Sequence, residues 1–414
     1  MAMKIAFIVD EFPSMTQVGV LNQATGLLDL GHDLHIFASR VATTPSVHAD
    51  IETYRLADRL TSFDVPLKES KRVLSSLGIA AREFRSRPRE VVESLNVFKY
   101  GRPASSTSLI HSLPKRPADE FDIIHGHFGP NAIVGQFWKA LGTGGRLIAS
   151  FHGVDVSRYP RRAGANIYAG LFEAADVITG NTEFLKRKLV DLGCDPMKIA
   201  VIPSAIRLER FEVPDRKSRP AGPARILTIG RLVEKKGHEY ALRALGRISS
   251  RFGFEYTIVG EGPLKDDLLR LTNQLGLQQR VNFIGGVTQE KAAKLYRESD
   301  LFLLPSVTSR ELDHEGQALV IQEAEAARLP VVSTFHNGIP EGVIDGVSAL
   351  LVAERDDEAL SNALARLLEH PELWGPMGDE GHKIASTRYD VPVVTARLVE
   401  IYGSAAGKQV EEVT

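Results

Sequence analysis

A single cysteine, Cys194, occurs in the whole chain, so no intrachain disulfide can form and the composition suits a reducing compartment. No apolar run approaches the ~18 residues that a membrane-spanning helix needs. The opening stretch MAMKIAFIVDEF meets Asp10 too early to hold the apolar centre of a signal peptide. A cytoplasmic protein that does not cross a membrane is therefore expected. Net charge is also scarce, −2 over 414 residues, so no global field attracts nucleic acid. No D-x-D triplet occurs, and a metal-bridged diphosphate is not indicated. No G-x-G-x-x-G/A fingerprint follows an apolar run, which weakens a dehydrogenase reading.

What is present is alternation. KIAFIVD (4–10), DLHIFA (33–38), FDIIHGHF (121–128), RLIASFHG (146–153), DVITG (176–180) and KIAVIPSA (198–205) are short aliphatic runs of buried-strand type. Between the first two, QVGVLNQATGLLDLGH has helical spacing and ends at Gly31, a fitting C-cap. A polar, proline-rich stretch, 211–224, then predicts a linker, and the pattern restarts. RILTIG (225–230), FEYTIVG (254–260), VNFIGG (281–286), LFLLPS (301–306) and LPVVST (329–334) form the second series. Apolar strands alternating with helices predict α/β architecture: two doubly wound parallel-sheet domains, 1–210 and 225–390. A closing helix, 391–406, and a polar tail follow, and the helix is expected to pack back on the first domain. In such sheets ligands sit beyond the carboxyl ends of the strands.

Residues 55–116 carry thirteen Lys and Arg against six Asp and Glu. KESKRVLSSLGIAAREF suggests an amphipathic helix there. A solvated insertion and a patch for anionic lipid, or for an acceptor bearing phosphate, are both open on this pattern.

Two loops and one helix carry the chemistry. GRLVEKKG (230–237) follows the second domain's first strand. Gly230 permits a tight turn, and Arg231 and Lys236 supply a fork and a point charge suited to a diphosphate; a solvated basic turn is the plain alternative. GEGPLK (260–265) puts Lys265 where a dinucleotide fingerprint needs glycine, so Gly262 more simply allows close backbone approach. HEGQALVIQEAEAARLPVV (314–332) places Glu315 at a helix start near Gly316 or Gln317, and Glu323 about two turns in. An acid at a helix start is ordinarily favourable by about 0.3–1 kcal/mol, and Glu323 alone could simply face solvent. Converging with the two cations at one sheet end, the carboxylates would instead accept sugar and ribose hydroxyls.

These stretches, with SFHGVD (150–155), HGHFGPNAIVG (125–135) and GNTEFLKRKLVDLGC (180–194), resemble the family-4 retaining glycosyltransferases of GT-B fold. The likeness spans nearly the whole chain and is greatest to the branch that builds bacterial exopolysaccharide of the colanic-acid type. It implies two Rossmann-like domains facing each other across a cleft. It implies Arg231 and Lys236 on the donor diphosphate, Glu315 on the donor sugar, and backbone at Gly316, Gln317, Ala318 and Leu319 beside it. Glu323 would hold the ribose, Gly19 and Gly230 would lie near the phosphates, and Gly262 and Phe283 near the base. His152 would reach the transferred sugar, with His127 and Asp155 on the acceptor side. The donor would be UDP- or GDP-linked, with no metal and no other cofactor. The acceptor would be a glycan or lipid-linked intermediate, met at the inner face of the cell membrane.

Two departures concern the first domain's contacts. The first loop, FPSMTQVGV, has Gly19 alone where relatives carry adjacent glycines, and Ser204 to Arg207 replaces a usual N-G-V/I-D. A nucleotide-sugar epimerase or phosphorylase of the same fold would share the phosphate loops without a separate acceptor. A non-catalytic sugar-nucleotide binder would bind without turnover.

Overall fold

A computed structural model describes residues 2–14, 17–42, 48–117, 120–164, 166–213 and 222–405. The chain divides into two compact units.

The first unit contains a seven-stranded parallel sheet. Its strands are β1 Lys4–Phe12, β2 Asp33–Val41, β3 Leu60–Ser62, β4 Ile123–His127, β5 Arg146–Phe151, β6 Val177–Gly180 and β7 Ile199–Val201. Their order is β3-β2-β1-β4-β5-β6-β7. Alternate residues of β1 enter opposite cores. Ile5, Phe7 and Val9 pack with Leu27 and Leu398, whereas Ala6 and Ile8 pack with Phe137 and Trp138. Burial on both faces is why the strand reads as a continuous apolar run. The helix Val18–Asp29 follows β1 and ends with Gly31 at φ 78°, as its spacing predicts.

The second unit repeats the plan with six parallel strands. These are β8 Ala224–Ile229, β9 Phe254–Val259, β10 Val281–Gly285, β11 Leu301–Leu304, β12 Val331–Thr334 and β13 Ala349–Val352. The order β10-β9-β8-β11-β12-β13 reverses between β8 and β11. Loops leaving two adjacent strands in opposite directions open a crevice there. The GRLVEKKG loop follows β8 and the Glu315 loop follows β11, so topology alone brings them together.

The domain boundaries differ from the expected ones. The first unit ends at Pro203 and resumes at Thr395, and Ser204–Val394 form the second. Leu208 and Phe211 are buried in the second unit's core, so the boundary expected at 210 moves back. The Ile206 N–H bonds to the Tyr389 carbonyl and the Val391 N–H to the Ile206 carbonyl, which fixes this entry segment. Of the expected linker, 214–221 lie outside the described residues. The last helix, Val391–Ala405, sends Leu398 and Tyr402 into the first unit's core.

The basic segment is folded, not merely solvated. Its helix Glu69–Glu83 packs through Ile79 and Ala80 onto a core containing Tyr100, Leu109 and Leu113. Its other side exposes Leu74 and Leu77 at 73% and 63%, and Leu67, Phe84 and Phe98 of the same segment are exposed too.

Candidate active site

The donor candidates converge in the second unit. Gly237 turns the GRLVEKKG loop at φ 67°, where any Cβ would collide with the Pro305 carbonyl. That close approach seats Lys236 against the segment after β11. Its ammonium lies 3.1 Å from Glu315 Oε1. Lys235 stands 3.7 Å from the same oxygen and 3.3 Å from Asp313. Burial would push the Glu315 carboxyl up, but Lys236 and then Lys235 outweigh it and hold the group at about 2. Glu315 is therefore a buried anion at neutral pH. Its Oε1 is buried and faces both ammoniums, with no aligned hydrogen bond among the described residues.

Arg231 is exposed at the start of the same loop, and its guanidinium has no ion pair among the described residues. Two cations of different kinds thus occupy one short turn, one engaged and one open. Gly262 closes against this turn from behind, since a Cβ there would strike the Leu232 backbone. Its close approach is to the protein's own loop. A Cβ at Gly230 would come within 3.3 Å of the Lys236 side-chain methylenes, so this glycine lies under that side chain.

The helix after Glu315 runs Leu319–Ala326, starting later than the sequence suggests. Ala318 occupies the cap position and no side chain caps it, which leaves first-turn N–H groups for an anion. Gly316 and Ala318 are buried and Leu319 is partly buried. The Gln317 side chain turns to Ser204, accepting its N–H at 2.7 Å and donating to its carbonyl at 3.1 Å. The departure at Ser204 is thereby built into the second unit. Glu323 is partly buried and accepts the Tyr296 hydroxyl at 2.8 Å. Burial pushes its carboxyl up to about 7, more than Tyr296 and Lys236 pull it down. Phe283 is partly buried against the second unit's core from edge strand β10.

In the first unit the histidines form one stack. The His125 and His127 rings lie 4.1 Å apart, and His127 and His152 5.7 Å apart. Neither nitrogen of His127 has a hydrogen bond among the described residues, nor does Nε2 of His152. Burial lowers all three, His125 to about 3 and His152 to about 4, so the stack is neutral at physiological pH. His125 bonds to Tyr402 at 2.5 Å and to Ser150 at 2.6 Å, which marks it as structural. Asp155 is buried, and its oxygens accept N–H groups of Gly129, His152 and Gly153, so it shapes the His152 loop. Gly19 lies in the first turn of the helix after β1. Its neighbours Met15 and Thr16 lie outside the described residues.

Comparison with known proteins supplies the family. The family described as Glycosyltransferase Family 4 matches residues 16–210, and Glycosyl transferases group 1 matches 209–383. A putative colanic acid biosynthesis glycosyltransferase of Escherichia coli is 33% identical over 88% of this chain and 90% of its own. The amylovoran biosynthesis glycosyltransferase of Erwinia amylovora is 31% identical over 96% of this chain and 99% of its own. The chain belongs to the family-4 glycosyltransferases. Its fold agrees: HepE of Anabaena, solved in complex with UDP, superposes with a TM-score of 0.72 at 17% identity, covering 97% of this chain and 100% of that one.

Within this glycosyltransferase, sequence reasoning missed three site residues. Lys235 was eclipsed by its neighbour, although the KK pair was in view. His336 and Glu354 stand behind Glu315: the Glu315 N–H donates to His336 Nε2 at 3.1 Å, and His336 Nδ1 meets Glu354 at 2.6 Å. Nothing in their spacing marks them, because β12 and β13 separate them from the motif. Among the described residues, no three His, Cys, Asp or Glu side chains gather as metal ligands would, and no helix is long and apolar enough to cross a membrane.

Proposed function

We propose that this glycosyltransferase moves a sugar, with retention, from a UDP- or GDP-linked donor to a hydroxyl of a glycan or lipid-linked intermediate in exopolysaccharide synthesis. The carrying observation is Glu315, a buried carboxylate kept ionised by two lysines, with one oxygen lacking an aligned donor. A carboxylate so held accepts sugar hydroxyls. Arg231 and Lys236 neutralise the charge that develops on the departing diphosphate, in place of a metal. One preorganised contact of this kind contributes about 10²–10³ in rate. First-turn N–H groups of Leu319–Ala326 add to the same charge. Glu323 receives the ribose hydroxyls. In the first unit, His152 keeps Nε2 unpaired for a hydroxyl of the transferred sugar. The sugar leaves with oxocarbenium character, the acceptor oxygen attacks from the same face, and its proton passes to the departing phosphate.

Relatives of this length and identity work in colanic acid and amylovoran synthesis, which supports the exopolysaccharide assignment. The basic insertion supports a peripheral place on anionic membrane at the inner face. Leu67, Leu74, Leu77 and Phe84 are exposed in the same segment as the exposed Lys68, Lys71, Arg85 and Arg89.

Thermal stabilisation by UDP, GDP, ADP and NAD, each with and without magnesium, tests the donor site. A shift with UDP or GDP that ignores magnesium is expected, followed by acceptor-dependent release of that nucleotide from its sugars. A response to NAD alone, or to none of the four, refutes the reading.

A further inference from the structure

The Glu315 carboxylate is aimed by its own backbone, and that backbone rests on one imidazole. His336 is fully buried just beyond β12. Its Nε2 accepts the Glu315 backbone N–H at 3.1 Å, and the Asn337 side-chain nitrogen lies 2.9 Å from Nε2 and 3.3 Å from Nδ1. An imidazole nitrogen that accepts a backbone N–H carries no proton. Nδ1 therefore carries it and donates to Glu354 Oε1 at 2.6 Å. Glu354 is fixed in turn, because its Oε2 accepts the Thr308 N–H at 2.8 Å. Thr308 belongs to the same loop after β11 as Glu315. A carboxylate thus sets the tautomer, and the tautomer sets the acceptor that receives the Glu315 N–H.

We infer that His336, oriented by Glu354, is a positioning residue for Glu315 and makes sugar transfer depend on the neutral imidazole. Protonation would place a proton on Nε2 against the Glu315 N–H. That hydrogen bond would be lost and the Glu315 segment would be released. The charged and titratable groups facing this ring are Glu354, Glu315, Lys235 and His314. Burial disfavours the imidazolium most strongly, Glu354 and Glu315 favour it, and Lys235 opposes it. The nucleoside diphosphate cations Arg231 and Lys236 do not touch the ring. Loss of His336 should therefore appear in kcat and not in nucleotide affinity. This inference rests on the donor role assigned to Glu315.

The test uses the full chain, the nucleotide sugar selected by the thermal-shift panel, and His336→Phe, His336→Gln, Glu354→Leu and Glu315→Ala. Gln presents an oxygen near the Nε2 position but cannot be protonated. Displacing a reacting contact by about 1 Å costs up to ~10²-fold. His336→Phe and Glu354→Leu should lower kcat about 10–100-fold with the Kd of free UDP or GDP within about twofold. His336→Gln should recover most of the rate and lose the fall in kcat on the acid side that wild type shows. Wild-type kcat in His336→Phe, or an unchanged acid limb in His336→Gln, overturns the inference; the second readout decides if the Phe variant does not fold. Glu315→Ala separates the two readings. If it turns over like wild type the donor assignment itself fails, whereas an inactive Glu315→Ala beside a fully active His336→Phe refutes only the role of His336.

Discussion

Lys236→Met separates what the lysine does for folding from what it does for catalysis. Holding the buried Glu315 carboxyl at about 2 instead of an ordinary glutamate value corresponds to on the order of 3 kcal/mol at neutral pH. Lys236 is the closer of two cations, at 3.1 Å against 3.7 Å for Lys235. It carries the larger share, so its loss should cost on the order of 2 kcal/mol. For a unit of this size that lowers the midpoint of its thermal transition by roughly 4–8 °C. The cost arises from stranding a charge, not from losing an attraction. Adding Glu315→Gln to Lys236→Met should then return most of the stability. Turnover should fall about 10²–10³-fold in Lys236→Met and stay low in the double variant, because the leaving diphosphate has lost its cation either way. Differential scanning calorimetry and nucleotide-release kinetics on the four proteins of the cycle read both effects. If Glu315→Gln does not restore the transition of Lys236→Met, the charge argument is wrong. If turnover returns with stability, Lys236 is a folding residue only.

Arg231→Ala should weaken UDP or GDP binding by about 1.5–3 kcal/mol, roughly 10–100-fold by titration calorimetry, with little effect on stability, because the guanidinium is exposed and makes no ion pair among the described residues. Glu323, pushed up to about 7, should make nucleotide affinity rise about tenfold from pH 6 to pH 8 as the carboxylate that accepts the ribose diol forms. The same group should make stability fall over that range, since the folded protein holds a proton that an unfolded glutamate has already released; Glu323→Gln should abolish both slopes. Leu74→Asp with Leu77→Asp should reduce sedimentation with anionic vesicles, and Arg85→Ala with Arg89→Ala should do so more at low salt; unchanged binding in both removes the membrane from the account.

Much of this was legible because buried parallel strands announce themselves. Both faces of β1 and β11 are apolar, so their runs are continuous in the sequence. β3 escaped because it is a half-buried edge strand, Leu60–Ser62, with a single aliphatic side chain, and β13, Ala349–Val352, was not read as a strand although its residues are apolar. The cluster was legible where it was local: Arg231 and Lys236 share a turn, and Glu315 begins the stretch that carries the family resemblance. Its support was not. His336 and Glu354 reach Glu315 only after β12 and β13 are laid into the sheet, and no spacing rule encodes a sheet's order. The contacts of Asp155 were hidden for a related reason, because a carboxylate three residues past a histidine looks alike in sequence whether it faces solvent or meets three backbone N–H groups. The thirteen cations of 55–116 showed the charge but not which side of the helix faces out.

The return of Leu398 and Tyr402 to the first core bears on the order of assembly. The second unit is continuous, Ser204–Val394, whereas the first begins the chain and is completed by its last helix. On the ribosome the usual order is then inverted. The first sheet emerges early, yet its face around Ile5, Phe7 and Val9, which Leu21 and Leu27 cover in part, lacks Leu398 and Tyr402 until some 200 further residues are made, roughly 10–40 s at ordinary synthesis rates. A chain stopped before residue 395 would hold a finished second unit and an open first one. A nascent-chain chaperone would have its longest engagement at the amino-terminal half.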